Sequence, residues 1–437
     1  MPTIAIIGAG PIGLQAGLAL RSLGSVTVYE SGTSVACSMK DWEHVRLFSP
    51  VSMNVSPQGL EAIKSLKEDV DGKPALDMDE FLTGKQFVEQ YLNPIYKFLI
   101  KENVHVELGC TVTAISKCGV SDSPLQKNRK KKERFRLLLS YASGKQSSAF
   151  FDYVVDATGT YATSQGKWLG SDEPPVVTNK EISNNSYQLG FFNIIPDVLG
   201  KHKDFFVSSS NEGVKVIVVG SGYSAVTTLN KLRELALASP GEVNLHVSWV
   251  TRTLAGVEPY ERIKDDPLPQ RRALAVLGNQ LASSVHCSLP ENMSVKYFDS
   301  TDVKTMRADP VSGVHVKAIR NGAKLELDAD ILVANVGFRP DLNLFGEVNM
   351  NTCWANESPK KLSSPQKAEG IKRKDSGEVL SQDMPGEDTF LNPASHFFII
   401  GMKSYGRSSD FLMRIGIEQI DSIFNIIAKE HEASLKY

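Results

Sequence analysis

The chain has 437 residues, of which 41% are hydrophobic and 22% are charged, and its formal net charge is −2. This length predicts two or three domains, and the near-neutral charge excludes a whole-protein attraction to nucleic acid or to a membrane. The five cysteines form no C-x-x-C or C-x-x-x-x-C pair, which argues against a redox-active dithiol or a zinc cluster. No apolar stretch could span a bilayer and no signal peptide is recognisable, so we expect a cytoplasmic protein.

A dinucleotide-binding pattern opens the chain. Residues 3–7 are an apolar run typical of a buried parallel strand, and Gly8, Gly10 and Gly13 follow with the spacing G-x-G-x-x-G. Glu30 stands twenty residues after Gly10, at the end of the predicted second strand. A carboxylate at that position accepts hydrogen bonds from ribose hydroxyls, so the sequence predicts a dinucleotide site here.

The next predicted elements are a helix and a pair of strands. Apolar positions at helical spacing predict a helix over residues 80–102, and two apolar runs predict strands around 104–115 and 135–141. Between the strands, residues 127–134 carry six lysines and arginines. Such a charge run is typical of a solvated hairpin tip, with a docking patch as the alternative.

A second glycine pattern lies in the stretch VKVIVVGSGYSA at 214–225. Gly220, Ser221 and Gly222 form its turn, and Ala225 stands where the third glycine would be, a replacement that the dinucleotide pattern tolerates. The sequence therefore predicts a second nucleotide site.

The strand that follows this second turn ends differently from the first. It ends in Thr251 and Arg252, where the first site has Glu30. A guanidinium pairs with a 2′-phosphate that a carboxylate would repel, so we expect NADPH at the second site and FAD at the first. The alternative is an ordinary surface arginine.

Each glycine pattern is followed by a matching apolar strand that ends in glycine. The first is DYVVDATG at 152–159, which includes Ala157 and Gly159, and the second is DILVANVG at 330–337, which ends at Gly337. This repeat predicts two complete nucleotide-binding units rather than two isolated turns.

These motifs resemble the two-dinucleotide-binding-domain flavoproteins, and most closely the flavin-containing and N-hydroxylating monooxygenase-like branch. The resemblance spans nearly the whole chain and rests on five stretches: GAGPIG, DATGT, GSGYSA, GFRPD and IIGMKSYGR. One departure is the F-x-G-x-x-x-H motif of class B monooxygenases, which the chain lacks.

The resemblance implies an α/β fold with two Rossmann-like dinucleotide-binding domains. The NADPH domain, at 175–330, would be inserted in a split FAD domain formed by 1–165 and 331–437. Residues 351–390, rich in serine and charged side chains, are predicted to be a mobile insertion within the last part.

The resemblance also suggests residues near the flavin. Trp42 would wall the flavin ring, and Arg46 and Asn54 are the candidate catalytic residues, as hydrogen-bond partners of the flavin. Gly401 and the helix after it would approach the pyrimidine edge. The alternative for the loop around Arg46 is a packed segment with a structural ion pair.

The predicted function is an FAD-dependent oxidoreductase that uses NADPH to reduce the flavin, with a monooxygenase acting on a small molecule as the leading hypothesis. Molecular oxygen would then be a co-substrate, and no metal, nucleic acid or membrane is expected. The alternatives are an NADPH:acceptor reductase that does not oxygenate and a flavin-bound, non-enzymatic sensor.

Overall fold

The structure is a computed structural model that describes residues 1–67, 76–118, 134–161, 190–207, 212–283, 289–309, 313–362 and 386–435. The chain divides into two compact units. The first comprises Met1–Thr163 with Arg339–Tyr437, and the second comprises Ser164–Phe338.

In its described residues, the first unit has a five-stranded parallel sheet, a three-stranded antiparallel sheet and the helices named below. The sheet strands are β1 (Thr3–Ile7), β2 (Ser25–Glu30), β3 (His105–Leu108), β4 (Cys110–Lys117), β5 (Phe135–Tyr141), β6 (Gln146–Phe151), β7 (Tyr153–Asp156) and β16 (Phe397–Ile399). The helices are α1 (Pro11–Leu20), α2 (Pro57–Lys67), α3 (Gly84–Phe87), α4 (Asn93–Lys101) and α7 (Met413–Leu435), with a π-helical turn, Val88–Leu92, joining α3 to α4.

The parallel sheet of the first unit has the order β16-β7-β1-β2-β3. Alternate side chains of a strand point to opposite faces. On β1, Ile4 and Ile6 therefore pack in the core with the helices, whereas Ala5 and Ile7 pack in the core with the antiparallel sheet β4-β5-β6. The sheet is thus covered on both faces, as its nearly continuous apolar strands require.

The second unit repeats this plan. Its strands are β8 (Phe191–Phe192), β9 (Val214–Val219), β10 (Leu245–Val250), β11 (Met293–Phe298), β12 (Thr301–Asp309), β13 (Gly313–Arg320), β14 (Ala323–Ala329) and β15 (Ile331–Ala334), and its helices are α5 (Tyr223–Ala238) and α6 (Pro269–Ser283). The parallel order is β11-β10-β9-β15-β8, and β12-β13-β14 form the antiparallel sheet. The two α/β units thus share one architecture.

The internal repeat in the sequence has a direct counterpart in the sheets. Strand β7 pairs in parallel with β1, and β15 pairs in parallel with β9. In each unit, the closing strand therefore lies beside the strand that leads into the glycine turn. The loop after the closing strand and the glycine turn then lie at the same edge of that unit's sheet.

The two ends of the predicted mobile insertion at 351–390 are folded in the structure. Asn356, Ser358 and Phe390 are buried, and Arg339 pairs with Glu357 through two hydrogen bonds. The two ends of the segment therefore belong to the folded first unit, because they supply buried groups that a solvated insertion would lack.

Two predictions made from composition fall largely outside the described residues. They are the middle of the same segment, at 363–385, and all of the charge run 127–134 except Arg134. Among the described residues, no helix is both long and apolar enough to cross a membrane.

Candidate nucleotide-binding sites

Two of the three glycines in the first turn are required by the packing of the protein itself. Gly8 has φ +97°, and a Cβ there would lie 2.8 Å from the carbonyl oxygen of Ala157. A Cβ on Gly13 would overlap the carbonyl oxygen of Gly8. The turn, the start of α1 and the loop after β7 therefore pack backbone against backbone.

Gly10 differs from its two neighbours. Its φ of −76° suits any residue, and a Cβ would meet nothing within 4 Å. Within the part of the chain that the structure describes, its amide N–H forms no hydrogen bond. Nothing in the protein requires glycine at this position, whereas the close approach of a pyrophosphate to the backbone does.

Glu30 is buried at the end of β2, beside the first turn. Its carboxylate accepts hydrogen bonds from the amides of Ala9, at 2.9 Å, and Gly32, at 2.8 Å. The side chain is therefore fixed at the turn, where a carboxylate can also accept a ribose hydroxyl.

The loop after β7 contains Ala157 and Gly159, and a buried ion pair holds it. Asp156 accepts a 2.6 Å bond from the ammonium of Lys403, and both side chains are fully buried. Lys403 also donates to the hydroxyl of Thr158 at 3.0 Å. Gly159 has φ +68° and open space around the position of a Cβ. Sequence reasoning missed this role of Lys403, because only the fold brings it to Asp156.

Gly401 lies next to the first turn, where a Cβ on it would be 3.4 Å from Ile12. Its amide N–H donates to the side chain of Gln419 at 2.8 Å, so that group is already used within the protein. The predicted approach of Gly401 to a flavin stays a prediction.

The loop residues predicted to contact the flavin have partners within the first unit. Trp42 is half-buried and packs against the helical core. Arg46 is exposed, and its guanidinium donates to the carbonyl of Phe81. Asn54 is buried and donates to the carbonyls of Ser49, at 3.1 Å, and Pro50, at 2.9 Å. These contacts show how the loop is held, and the catalytic roles of Arg46 and Asn54 stay predictions.

The second turn repeats the distribution of glycines in the first. Gly220 has φ +134°, and a Cβ there would overlap the carbonyl oxygen of Asn335. Gly222 has φ −82° and meets nothing within 4 Å. Ala225 is buried in the first turn of α5, and Ser221 is exposed. The middle glycine is again the one that the protein itself does not require.

The strand register refines the comparison of the two strand ends. Ile7 pairs with Tyr29 in the first unit, and Val219 pairs with Val250 in the second. Thr251 therefore occupies the place of Glu30, and Arg252 lies one residue further along. This corrects the expectation that Arg252 itself replaces the carboxylate.

The Arg252 guanidinium is exposed and has no hydrogen-bond or ion-pair partner among the described residues. Two other cations of the second unit, Arg262 and Lys231, are already paired. Arg262 forms a two-bond ion pair with Glu258, and Lys231 lies 2.7 Å from Glu234. Arg252 is thus the cation of the three that remains available for a phosphate.

The segment between β10 and α6 folds back against the second glycine turn. Its Asp266 forms a buried two-bond ion pair with Arg271, at 2.9 and 2.6 Å. Burial opposes ionisation of Asp266, but the bonds from Arg271 and from the Leu268 amide outweigh it, so its pKa lies below the usual range. Tyr260 is buried in the same segment, and that burial raises the pKa of its hydroxyl.

Residues 5–124 match the family model described as pyridine nucleotide-disulphide oxidoreductase. No curated protein matches the sequence. Solved structures align over nearly the whole chain, and the architecture that they share with it decides the fold. The chain has the two-dinucleotide-binding-domain flavoprotein fold.

Three solved structures with this flavoprotein fold illustrate the similarity. Bacillithiol disulfide reductase Bdr (YpdA) from Bacillus cereus has 17% identity and a TM-score of 0.62, with 98% of this chain and 99% of that chain covered. The cadaverine monooxygenase DfoA from Erwinia amylovora, solved with FAD, has 14% identity, a TM-score of 0.59 and coverage of 97% and 94%. The ornithine hydroxylase PvdA from Pseudomonas aeruginosa has 11% identity, a TM-score of 0.56 and coverage of 98% and 99%.

Proposed function

We propose that this chain is an FAD-dependent oxidoreductase that takes electrons from NADPH. The observation that carries the proposal is common to both units. Gly10 and Gly222 have an ordinary φ and open space where a side chain would lie. The protein itself gives no reason for glycine at either position, whereas a nucleotide pyrophosphate that contacts the backbone does.

The first unit would hold FAD, and the second would hold NADPH. In the first, the Gly10 amide and the start of α1 face the pyrophosphate, and Glu30 accepts a ribose hydroxyl. In the second, the amides of Ser221 and Gly222 face the pyrophosphate, and Arg252 pairs with the 2′-phosphate. A flavin, when bound, supplies the ability to accept a hydride and to pass electrons onward.

We propose a monooxygenase that acts on a small molecule with molecular oxygen. The fold similarity to DfoA, a monooxygenase by name, and to PvdA, a hydroxylase by name, supports this reaction class. The similarity to Bdr supports an NADPH:acceptor reductase instead. A disulfide acceptor is less favoured, because the sequence has neither a C-x-x-C nor a C-x-x-x-x-C pair.

The first experiment tests the cofactors. The protein should purify yellow and should release FAD on heating, and NADPH should bleach the flavin absorbance under anaerobic conditions faster than NADH does. Release of FMN or of no flavin would overturn the assignment of the first unit. A flavin that NADPH does not reduce would favour the non-enzymatic sensor.

The second experiment separates the two reaction classes. Anaerobically reduced protein is mixed with oxygen in a stopped-flow spectrometer, and the return of the oxidised flavin spectrum is followed. A spectrum distinct from both the reduced and the oxidised forms that persists before reoxidation would support the monooxygenase. Immediate reoxidation with stoichiometric hydrogen peroxide would support the reductase.

Arg46 offers a test of the catalytic assignment. Arg46→Ala should lower the rate of NADPH-driven flavin reduction or of reoxidation, with FAD content unchanged. Unchanged rates would assign the residue to the loop contact with Phe81 alone. Asn54→Ala cannot separate the two roles, because it also leaves the carbonyls of Ser49 and Pro50 without their donor.

A further inference from the structure

The second glycine turn is anchored through its carbonyl oxygens by two aromatic side chains. The indole N–H of Trp249 donates to the carbonyl of Gly220 at 2.8 Å, and the hydroxyl of Tyr260 donates to the carbonyl of Gly222 at 3.0 Å. Both side chains are buried. The carbonyl groups of Gly220 and Gly222 are therefore both held by side chains from the core of the second unit.

Tyr260 is itself held in place by α6. The side chain of Asn279 accepts from the Tyr260 amide at 3.0 Å and donates to the Tyr260 carbonyl at 2.8 Å. A Cβ on Gly278 would overlap the Tyr260 ring, so this helical glycine makes room for the ring. Glycine within a helix is less stable than alanine, so the position indicates that the ring needs this location.

Fixing a carbonyl fixes the amide on the other side of the same peptide bond. In a planar trans peptide, the C=O of one residue and the N–H of the next point in opposite directions. The carbonyl of Gly220, turned inward to Trp249, therefore turns the Ser221 amide outward. Ser221 is exposed, and its amide has no hydrogen-bond partner among the residues described. The carbonyl of Gly222, held by Tyr260, sets the direction of the first peptide of α5 in the same way.

We propose that Trp249 and Tyr260 are positioning residues that aim the amides of this turn at the pyrophosphate of the nicotinamide dinucleotide. The inference rests on the proposed function of the second unit. A turn whose amide N–H groups already point towards the ligand site loses less conformational freedom on binding. Anchoring its carbonyls therefore strengthens binding without a direct contact to the ligand. The effect concerns the pyrophosphate, which NADP⁺ and NAD⁺ share, and not the 2′-phosphate.

The test uses Tyr260→Phe, which removes only the hydroxyl. Dissociation constants are measured by calorimetry on the flavin-loaded protein for NADP⁺, NAD⁺ and adenosine 2′-monophosphate. Loss of one hydrogen bond should raise the constants for NADP⁺ and NAD⁺ alike, by roughly three- to tenfold. The constant for adenosine 2′-monophosphate, which has no pyrophosphate, should stay unchanged.

Tyr297→Phe is the matched control. Its ring packs against Trp249, with ring centroids 4.6 Å apart, but its hydroxyl bonds to Thr251 at 2.8 Å rather than to the turn. The control should leave the constants for both dinucleotides within about twofold of the wild type, a difference well below one hydrogen bond. Gly278→Ala, which displaces the Tyr260 ring, should reproduce the pattern of Tyr260→Phe.

Several outcomes would overturn the inference. They are unchanged dinucleotide binding in Tyr260→Phe, an equal loss in Tyr297→Phe, or a parallel loss of adenosine 2′-monophosphate, which would indicate general damage to the unit. Failure of the wild-type protein to bind either dinucleotide would instead overturn the proposed function, and the inference with it.

Discussion

The first glycine turn is anchored by a hydrogen-bond acceptor, whereas the second is anchored by two donors. In the first unit the carboxylate of Glu30 accepts from the Ala9 amide. In the second unit Trp249 and Tyr260 donate to the carbonyls of Gly220 and Gly222. The same strand-turn-helix arrangement is thus stabilised by opposite chemistry.

This difference shows how one architecture can be adapted to two nucleotides. At the first turn, Glu30 holds the backbone and, in the proposed site, would also accept a ribose hydroxyl, so one carboxylate would serve both tasks. At the second turn, these two tasks are divided. The aromatic side chains hold the turn, and the strand end carries the uncharged Thr251 and Arg252, whose guanidinium has no partner in the described part of the chain.

The largest expected effect comes from filling the open middle position of each turn. Gly10→Val should abolish FAD binding, and Gly222→Val should abolish NADP⁺ binding, because each side chain would occupy the space of a pyrophosphate. Flavin content and calorimetric titration measure the two losses. Each variant serves as the control for the other, and a variant that loses both ligands would contradict the independence of the two sites.

The second prediction concerns the buried ion pair of the first unit. Lys403→Met leaves the buried carboxylate of Asp156 without its cation, which should lower the free energy of unfolding by about 3–5 kcal/mol. Urea titration of the flavin-free protein measures the change. Lys429→Met, which removes an exposed partner of Glu387, should change the free energy of unfolding far less, because solvent screens an exposed ion pair.

The third prediction uses the buried pair of the second unit, Asp266 with Arg271. Asp266→Asn should destabilise this unit at neutral pH by about 3–5 kcal/mol, because Arg271 would remain buried and unpaired. The pKa of Asp266 is lowered by folding, so its stabilising contribution is complete above the ordinary aspartate pKa of about 3.9 and is lost as the pH falls below it.

Melting temperatures recorded from neutral pH to about pH 3 would show this dependence, since the ordinary aspartate pKa lies within that range. The difference between wild type and Asp266→Asn should be constant at higher pH and should shrink in acid. A difference that does not change with pH would mean that the carboxylate of Asp266 is not the group that titrates.

The smallest predicted effect concerns Arg252, which follows the end of β10. Arg252→Ala should raise the dissociation constant for NADPH by roughly ten- to a hundredfold, because a charge-assisted contact contributes about 1.5–3 kcal/mol. The constant for NADH should hardly change. Arg262→Ala is the control, since Arg262 is already paired with Glu258. An equal loss of both nucleotides in Arg252→Ala would show that Arg252 supports the fold and does not read the phosphate.

Local spacing in the sequence predicted two nucleotide-binding units, and the family resemblance implied that one is inserted in the other. The glycine patterns, the closing strands and the α/β class all follow from short motifs, in which Gly8, Gly13 and Gly220 have a packing reason that the structure shows. The end of β10 at Val250 agrees with the sequence prediction, but the residue equivalent to Glu30 was misplaced by one position, because strand pairing cannot be derived from composition alone. Only the pairing of Val219 with Val250 assigns Thr251 to the position of Glu30.

The residues that sequence reasoning missed act over long separations. Lys403 is one lysine among many until β16 brings it to Asp156, and Tyr260 is one loop tyrosine until Asn279 holds it against the turn. A weak signal was present for Tyr260, because Gly278 interrupts an otherwise helical stretch. Composition also misled, since the polar ends of 351–390 are anchored by buried groups such as Asn356.

The pairing of Asp156 with Lys403 has a consequence for how the protein is made. The two residues are 247 positions apart, and the whole second unit is synthesised between them. At about 5–20 residues per second, a ribosome needs roughly 12–50 s to cover that distance. During this interval the Asp156 carboxylate lacks its partner Lys403, and β7 lacks its neighbour β16. We therefore expect the second unit, which is continuous in sequence, to become protease-resistant first. Pulse proteolysis of ribosome-bound chains would show that order, with the amino-terminal segment protected only after β16 has left the exit tunnel.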